Sequence, residues 1–299
     1  MLAKVVTNLT GSCGPREAAE QSPAESPADY VVQACMAKDI GRVRTTNQDS
    51  IAFVSPGGHD ERRRRGVLAV VADGMGGHQG GEVASALAVR TICDRYYRAP
   101  GDDPLHVIEL AMAEANGEIL RAATADEALA GMGTTATVLV LVGKSAFFAH
   151  VGDSRLYRCR QGLATQLTED DTLVEQMVKD GMISAEEARH HPERSVLLRS
   201  LGTRPEVRVV IQRCAPPQIG DTFVLCSDGM HDSIAPSEIA SIVESFDPEG
   251  ACRRLIELAR DRDGSDNISV GVVAVRPAEA AEKPVPITRE TVLVPAEGE

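Results

Sequence analysis

The segment VLAVVADGMGGH, residues 67–78, joins a long apolar run to an acidic, glycine-rich turn. Its six leading apolar residues are typical of a buried strand, which ends at Asp73. The glycines that follow, at positions 74, 76 and 77, allow the backbone to turn tightly, so that a carboxylate and a main-chain carbonyl can face the same ion. Taken alone, the segment is equally compatible with a plain turn after a buried strand.

Three further segments place an acidic residue at the end of an apolar run. They are RTTNQD (44–49), LCSDG (225–229) and SDNISV (265–270), which carry Asp49, Asp228 and Asp266. A fold that brings such ends together gathers distant carboxylates into one cluster. Since Mg²⁺ and Mn²⁺ take oxygen ligands and keep several waters, a few Asp side chains and one carbonyl suffice to hold them. The pattern therefore predicts bound divalent cations, and two such ions close together can activate water for displacement at phosphorus.

The order of the predicted elements favours an α+β fold with antiparallel sheets. Runs of β-branched residues bounded by Gly, Pro or Asp predict strands at 31–38, 51–54, 67–72, 134–142, 146–151, 155–160, 207–213, 222–226 and 268–275. Apolar residues spaced three and four apart predict long helices over 82–97, 104–123, 236–245 and 250–260, and shorter ones over 172–180 and 185–190. The strands come in consecutive groups instead of alternating strictly with helices, which is the α+β pattern.

The charge balance argues against polyanionic partners. With 31 Lys+Arg against 44 Asp+Glu, the net charge is −13. Nucleic acids and anionic membranes are bound by clustered cations, so we expect neither as a partner. The one basic run, residues 62–65, is predicted to be a solvated loop between two strands, with contact to an anionic partner as the alternative.

The cysteines and the apolar segments predict a soluble, cytoplasmic protein. The seven cysteines are an odd number, with no CxxC pair and no zinc-like spacing, which indicates free thiols in a reducing compartment. The start, MLAKVVTNLTGSC, has too short an apolar segment and no basic lead, so it does not predict export. The most apolar stretch, residues 136–143, is far too short to cross a membrane.

Composition divides the chain into three parts. Residues 1–29 are rich in Ser, Pro, Ala and Glu, and they cannot bury enough apolar surface to offset the entropy of ordering, so they predict a disordered arm. Residues 30–276 are long enough for a single catalytic domain with one core. Residues 277–299, rich in Pro and Glu, predict a disordered tail.

The motifs taken together resemble those of a known family. Besides the four acidic segments, the chain carries GMGTTATV (131–138), AHVGDSRLYR (149–158), LTEDDT (167–172) and LLRSLGT (197–203). In this order and spacing they resemble the metal-dependent Ser/Thr protein phosphatases of type 2C, in their compact bacterial form. The resemblance implies a four-layer αββα sandwich, in which two antiparallel β-sheets are flanked by helices and a two-ion Mn²⁺ or Mg²⁺ site lies in a cleft at one edge.

The resemblance implies a role for each acidic residue. Asp73 would bridge the two ions, the Gly74 carbonyl would ligate one of them, and Asp228 and Asp266 would complete the other. Asp49 would act both at the metal centre and in catalysis, by orienting a metal-bound water.

Three further residues match the family's motifs. Asp153 would help Asp228 to bind a third, weaker ion; its alternative is a turn-forming Asp. Arg44 would grip the substrate phosphate with its planar fork, as a Lys could not, and its alternative is a surface ion pair. His78 would donate a proton to the leaving hydroxyl, because its pKa lies near neutrality; its alternative is a structural histidine.

Two positions depart from the family pattern. Gln48 stands where many members carry Glu, so we expect a lower affinity for one metal. Asp171 replaces the usual His, and we expect this to affect a contact at the edge of the flap subdomain, residues 172–192. Substrate choice is expected to be set in that flap. His190 and His191 are expected to be surface residues, because adjacent histidines on a helix diverge by about 100°.

The leading hypothesis is a cytoplasmic phosphatase that hydrolyses phosphoserine and phosphothreonine in proteins by attack of a metal-bridging hydroxide. It would act in signalling, against a cognate bacterial Ser/Thr kinase, and a monomer is the simplest expectation. No Cys lies in a CxxxxxR arrangement, so a cysteine nucleophile gains no support. Two alternatives stay open: a catalytically silent scaffold, which would be marked by a lost metal Asp, and a broad small-molecule phosphomonoesterase.

Overall fold

The computed structural model describes residues 4–5, 30–76 and 80–278 of the chain. The strands are β1 (Lys4–Val5), β2 (Tyr30–Asp39), β3 (Asp49–Val54), β4 (Val67–Met75), β5 (Gly133–Thr134), β6 (Ala136–Val142), β7 (Ser145–Val151), β8 (Arg155–Arg160), β9 (Leu163–Gln166), β10 (Glu206–Val207), β11 (Val210–Arg213), β12 (Thr222–Cys226) and β13 (Ile268–Pro277). The helices are α1 (His59–Arg65), α2 (Gly80–Arg98), α3 (Pro104–Ala125), α4 (Leu173–Lys179), α5 (Ala185–Arg189), α6 (Asp228–His231), α7 (Pro236–Ser245) and α8 (Pro248–Arg262).

Most of these strands belong to two antiparallel sheets. The first sheet has the order β11-β7-β6-β4-β3, with β5 paired to β4. The second has the order β2-β13-β12-β8-β9. The predicted α+β class is therefore confirmed, and so is the sandwich that the family resemblance implies.

Strand β4 is buried on both faces, which explains its uninterrupted apolar sequence. Leu68 and Val70 pack against residues of α2 and α3 on one side. Val67, Ala69 and Val71 pack against the second sheet on the other side. Asp73 thus stands at the end of a strand that is fixed from two directions.

Helices α7 and α8 cover the outer face of the second sheet. Ile239 of α7 and Leu255 of α8 pack there with Val224 and Val272 of the sheet. With α2 and α3 on the outer face of the first sheet, the layers run helix, sheet, sheet, helix.

The prediction of a solvated loop for the basic run was wrong. Residues 59–65 form α1, and the Arg65 side chain is fully buried. Its Nη2 donates hydrogen bonds to the carbonyl oxygens of Ala99 (2.5 Å) and Gly101 (2.7 Å), and its guanidinium lies 5.7 Å from the centre of the Tyr96 ring. Burial of this cation is supported by carbonyl acceptors and an aromatic face, which a sequence pattern cannot show.

Other differences between the predicted and the observed strands concern short strands. The predicted strand over 207–213 is divided into β10 and β11, and β9 had not been predicted at all. Both β9 and β10 are short, and such strands carry too few residues for a clear alternation of apolar and polar side chains.

The terminal segments are described only in part. Within the arm predicted to be disordered, Lys4–Val5 pair in parallel with Glu206–Val207, and the rest of residues 1–29 lies outside the described residues. Strand β13 continues to Pro277, and the predicted tail from residue 279 onward also lies outside them. Within the described ranges, no helix is long and apolar enough to cross a membrane.

Candidate active site

The register of the first sheet places two predicted site residues side by side. Asp49, the first residue of β3, pairs directly with Asp73 near the end of β4. Directly opposed residues of antiparallel strands have Cα atoms about 5 Å apart. The Asp73 backbone is held by Thr135, whose Oγ1 accepts a hydrogen bond from the Asp73 amide at 2.9 Å.

The second sheet contributes Asp228 and Asp266. Asp228 begins α6 directly after β12, and Asp266 lies just before β13, the neighbouring strand. Ser227 and Ser269 tie these two strand ends together: the Ser227 amide donates to the Ser269 carbonyl at 3.1 Å, and the Ser269 amide donates to Ser227 Oγ at 2.9 Å. The two carboxylates are thereby fixed at the same end of the sheet.

Ser227 also joins the two sheets. Its hydroxyl donates a hydrogen bond to Asp49 Oδ2 at 2.9 Å. The bond crosses from the second sheet to the first and fixes one oxygen of a carboxylate that is only 1% exposed. The ends of four strands, distant in sequence, are thus connected at one edge of the sandwich.

Asp153 reaches the same place from the turn between β7 and β8. Its side chain is buried, and its carbonyl oxygen accepts a hydrogen bond from His231 Nε2 at 3.1 Å. Asp171 holds the preceding residue: the Gly152 amide donates to Asp171 Oδ2 at 3.1 Å, and the Asp171 amide donates to the Gly152 carbonyl at 2.7 Å. The other oxygen of Asp171 forms an ion pair with Arg199.

These elements enclose a cavity of about 240 Å³. Six of the residues that line it are predicted site residues: Arg44, Asp73, Gly74, Asp153, Asp228 and Asp266. Gln48 lines it as well, and Asp49 is buried beside Asp73. The structure therefore brings together the described members of the predicted set.

Burial, together with the charges of neighbouring carboxylates, raises the pKa values of the carboxyl groups. Burial is the largest cause at Asp49, whose pKa rises to about 7, with smaller contributions from the charges of Asp228 and Asp266. Burial and the neighbouring Asp49, Asp228 and Asp153 hold the pKa of Asp73 well above its usual range. The pKa of Asp153 and that of Asp228 are also raised, mainly by burial. Such a site favours any cation that neutralises it.

The donors present fit hard divalent ions. Oδ1 of Asp49 and Oδ1 of Asp228 are buried and have no hydrogen-bond partner. Asp73 and Asp228 line the same cavity. Within the described residues, however, no three acidic, His or Cys side chains converge as a ready-made metal cluster. Mg²⁺ and Mn²⁺ do not require such a cluster, because they accept carbonyl oxygens and retain waters.

Arg44 is engaged in an ion pair at the cavity. Its Nη2 lies 2.6 Å from Asp266 Oδ2, and about half of the Arg44 side chain is exposed. The alternative of an ion pair is thus observed, but its partner is another residue of the same cavity. An exposed pair of this kind is weak, so it leaves the guanidinium able to take a different anion.

Sequence reasoning missed two residues that organise the site, Ser227 and Asn267. Asn267 Oδ1 accepts a hydrogen bond from the Gln48 amide at 2.8 Å, and its Nδ2 donates to the carbonyls of Ile40 and Thr46, each at 3.0 Å. It thereby ties the loop that carries Arg44 to β13. The available signal was position alone, since both residues adjoin a predicted metal Asp.

The predicted histidines divide into two groups. His78 lies outside the described residues, so its predicted role as a proton donor stays a prediction. The His190 side chain is 81% exposed and pairs with Glu186, which agrees with the expectation of a surface residue. Asp171 has a larger part than expected, because it joins the turn before Asp153 to Arg199.

Comparisons with known proteins agree with this geometry. A family model described as "Protein phosphatase 2C" matches residues 41–260. Serine/threonine protein phosphatase PstP of Mycobacterium tuberculosis is 36% identical over 245 residues, which cover 82% of this chain and 45% of that protein. The chain therefore spans about half the length of that relative. Serine/threonine phosphatase stp of Listeria innocua is 36% identical over 240 residues, which cover 79% of this chain and 92% of that protein.

Solved structures share the fold. A crystal structure of the catalytic domain of PstP, in complex with two manganese ions, matches with a TM-score of 0.72 and 34% identity. The match covers 83% of this chain and 99% of that one.

Proposed function

Because the chain belongs to the protein phosphatase 2C family, we propose that it is a metal-dependent phosphatase that hydrolyses phosphoserine and phosphothreonine in proteins. One observation carries the proposal: acidic residues from both sheets line a single cavity together with Arg44. Phosphate monoesters are dianions near neutral pH, so an acidic cavity alone would repel them. Cations held by the carboxylates reverse that sign, and the guanidinium adds a directional contact.

We assign the ligands of two Mn²⁺ or Mg²⁺ ions to Asp73, the Gly74 carbonyl, Asp228 and Asp266. Their oxygen donors match the preference of these ions. A third, weaker ion is assigned to Asp153 with Asp228. When bound, such ions lower the pKa of water and neutralise charge on a phosphoryl group.

The remaining residues bind and orient. Arg44 would exchange its contact with Asp266 for two parallel hydrogen bonds to the phosphate. Asp49, fixed through Oδ2 by Ser227, has its unpartnered Oδ1 available to orient the attacking water. In the hydrolysis, the water oxygen bonds to phosphorus, the bond from phosphorus to the Ser or Thr oxygen breaks, and the leaving oxygen takes a proton. We propose His78 as the donor of that proton.

We also propose the substrates, the opposing enzyme and the cellular compartment of the reaction. Phosphorylated proteins in a bacterial signalling pathway would be the substrates, a cognate Ser/Thr kinase would be the opposing enzyme, and the phosphatase would act as a cytoplasmic monomer. The six described cysteines are free thiols, which suits a reducing compartment. The opposing kinase is inferred from the family resemblance.

Hydrolysis of a phosphothreonine peptide tests the proposal. Activity with Mn²⁺ should disappear with EDTA and in Asp73→Asn and Asp228→Asn, which keep the shape of the side chain but lose its charge. The matched control is Asp94→Asn, whose side chain is 45% exposed on α2 and should leave activity unchanged. A folded wild type that binds Mn²⁺ without hydrolysing the peptide would favour a scaffold, and faster hydrolysis of sugar phosphates than of the peptide would favour a small-molecule phosphomonoesterase.

A further inference from the structure

Two cysteines are in contact on the outer side of the second sheet, away from the cavity described above. Cys35 lies in β2, and Cys252 lies in α8, which packs over that strand. Cys252 Sγ donates a hydrogen bond to the Cys35 carbonyl oxygen at 3.2 Å. Both cysteines are free thiols. Two cysteines 217 residues apart in sequence are therefore neighbours where α8 packs on β2.

The pair is accessible from one side. A second cavity, of about 350 Å³, lies between β2 and α8 and is lined by both cysteines and by five charged residues, Asp39, Glu249, Arg253, Glu257 and Arg260. Cys35 is partly exposed, whereas Cys252 is only 1% exposed. A small polar reagent can therefore reach Cys35 before it reaches the buried Cys252.

The surroundings give the two thiols different chemistry. The neighbouring Cys252 thiol lowers the pKa of Cys35, and the Arg253 charge acts in the same direction, against burial and the charges of Glu249 and Asp247. The neighbouring Cys35 thiol raises the pKa of Cys252, and burial adds to the effect. Since the thiolate is the nucleophile, Cys35 is suited to attack and Cys252 to resolve the product.

We propose that Cys35 and Cys252 form a peroxide-reactive dithiol that closes reversibly to a disulfide between β2 and α8. The Cys35 thiolate attacks one oxygen of hydrogen peroxide, the O–O bond breaks, and Cys35 becomes a sulfenic acid while the departing oxygen leaves as hydroxide. Cys252 sulfur then attacks the Cys35 sulfur and displaces a second hydroxide, which takes up the thiol proton as water. In total, two thiols and one peroxide give one disulfide and two waters, and a thiol reductant reverses the reaction.

The bond would form without entering the candidate active site. On β2, Cys35 and Ala37 face α8, whereas Ala34 and Met36 face the first sheet. The crosslink would thus tie strand β2, at the end of its sheet, to the helix that covers it. Disulfide formation at this pair is independent of the proposed phosphatase activity.

Peptide mapping of the full chain after brief treatment with hydrogen peroxide tests the proposal. Cys13 lies outside the described residues, so the protein should carry Cys13→Ser. We expect one major linked peptide pair, Cys35 with Cys252, which disappears after dithiothreitol and is absent from Cys252→Ser. The matched control, Cys93→Ser, should keep the link, because burial raises the pKa of that thiol to about 12 and leaves it unreactive.

A second measurement needs no variant at a cysteine of the pair. In the reduced protein, iodoacetamide should label Cys35 at least ~10-fold faster than Cys93 or Cys214, because the labelling rate follows the thiolate fraction. Oxidation of Cys35 to a sulfinic acid without a link to Cys252, links spread equally over several cysteines, or equal labelling rates would each overturn the proposal.

Discussion

Arg44 makes one guanidinium contact of 2.6 Å with Asp266, although a guanidinium group can donate hydrogen bonds to two acceptors at once. If that fork binds the substrate phosphate, Arg44→Lys should raise KM for a phosphothreonine peptide ~10-fold or more, because an ammonium group cannot form two parallel hydrogen bonds. Steady-state kinetics at saturating Mn²⁺ measures the change. The matched control is Arg42→Lys, since Arg42 forms a similar 2.6 Å pair with Asp261, and it should change KM less than ~2-fold. Equal effects of both substitutions would count against a role for Arg44 in phosphate binding.

The carboxyl groups of the site make stability depend on pH. The pKa of Asp49 rises from 3.8 to about 7 on folding, so between these values the folded chain holds a proton that the unfolded chain has released. Stability contributed by such a group is present at low pH and is lost as pH rises towards 7. Asp73, Asp153 and Asp228 shift in the same direction.

In EDTA, we therefore expect Tm to be lower at pH 7.5 than at pH 5.5, and Mn²⁺ should raise Tm more at the higher pH. Thermal unfolding followed by circular dichroism measures both effects. Asp49→Asn should reduce the dependence on pH, whereas the half-exposed control Asp94→Asn should not. A wild type whose metal-free Tm is higher at pH 7.5 would contradict the shifts described above.

At the scale of the residue, the sequence predicted the candidate metal ligands. It did not predict the residues that hold those ligands in place. Asp73 and Asp228 follow apolar runs and precede glycines, so their placement at strand ends was predictable. Ser227 and Asp171 were not, because a serine before an Asp-Gly pair and an acid in place of a histidine have no distinctive pattern. Their roles depend on partners far away in sequence, Asp49 and Arg199.

The corner between β4 and α2 is built on close backbone contact. A Cβ on Gly74 would lie 2.0 Å from the Gly81 carbonyl oxygen and 2.6 Å from that of Gln48. Since both neighbours are backbone atoms, relief requires movement of a strand or a helix. Gly74→Ala should therefore lower the free energy of unfolding by ~3 kcal/mol or more.

Urea denaturation measures this change. Gly57→Ala is the matched control, since nothing lies within 4 Å of a Cβ at that position, and its effect should stay within ~0.5 kcal/mol. A Gly74→Ala protein as stable as the control would show that the corner can relax, and the close packing of β4 on α2 would then be no constraint on the site.

At the scale of the element, the long apolar patterns were the predictable part. Strand β4 and helices α2 and α3 bury continuous faces, and their sequences record this directly. The basic helix α1 was missed because its stability depends on Arg65 reaching the carbonyls of Ala99 and Gly101, which are contributed by another element. The spacing of apolar residues indicates which face of an element is buried, but it does not indicate which residues of other elements contact that face.

At the scale of the whole molecule, the site exists only because two sheets meet. Asp49 and Asp73 come from the first sheet, Asp228 and Asp266 from the second, and the bond from Ser227 to Asp49 crosses between them. Antiparallel register and the alignment of two packed sheets are properties of the tertiary fold. Motif order could predict which residues meet, through the family resemblance, but not how close they come.

Titration calorimetry with Mn²⁺ tests the central claim, that carboxylates from both sheets form one centre for divalent ions. Asp73 interacts electrostatically with Asp49, Asp153, Asp228 and Asp266, so loss of its charge should affect the whole centre. The metal-free wild type should bind two ions tightly, Asp73→Asn should lose tight binding of both, and Asp94→Asn should behave like the wild type. A wild type without tight Mn²⁺ binding, or an Asp73→Asn protein with unchanged stoichiometry and affinity, would contradict the account.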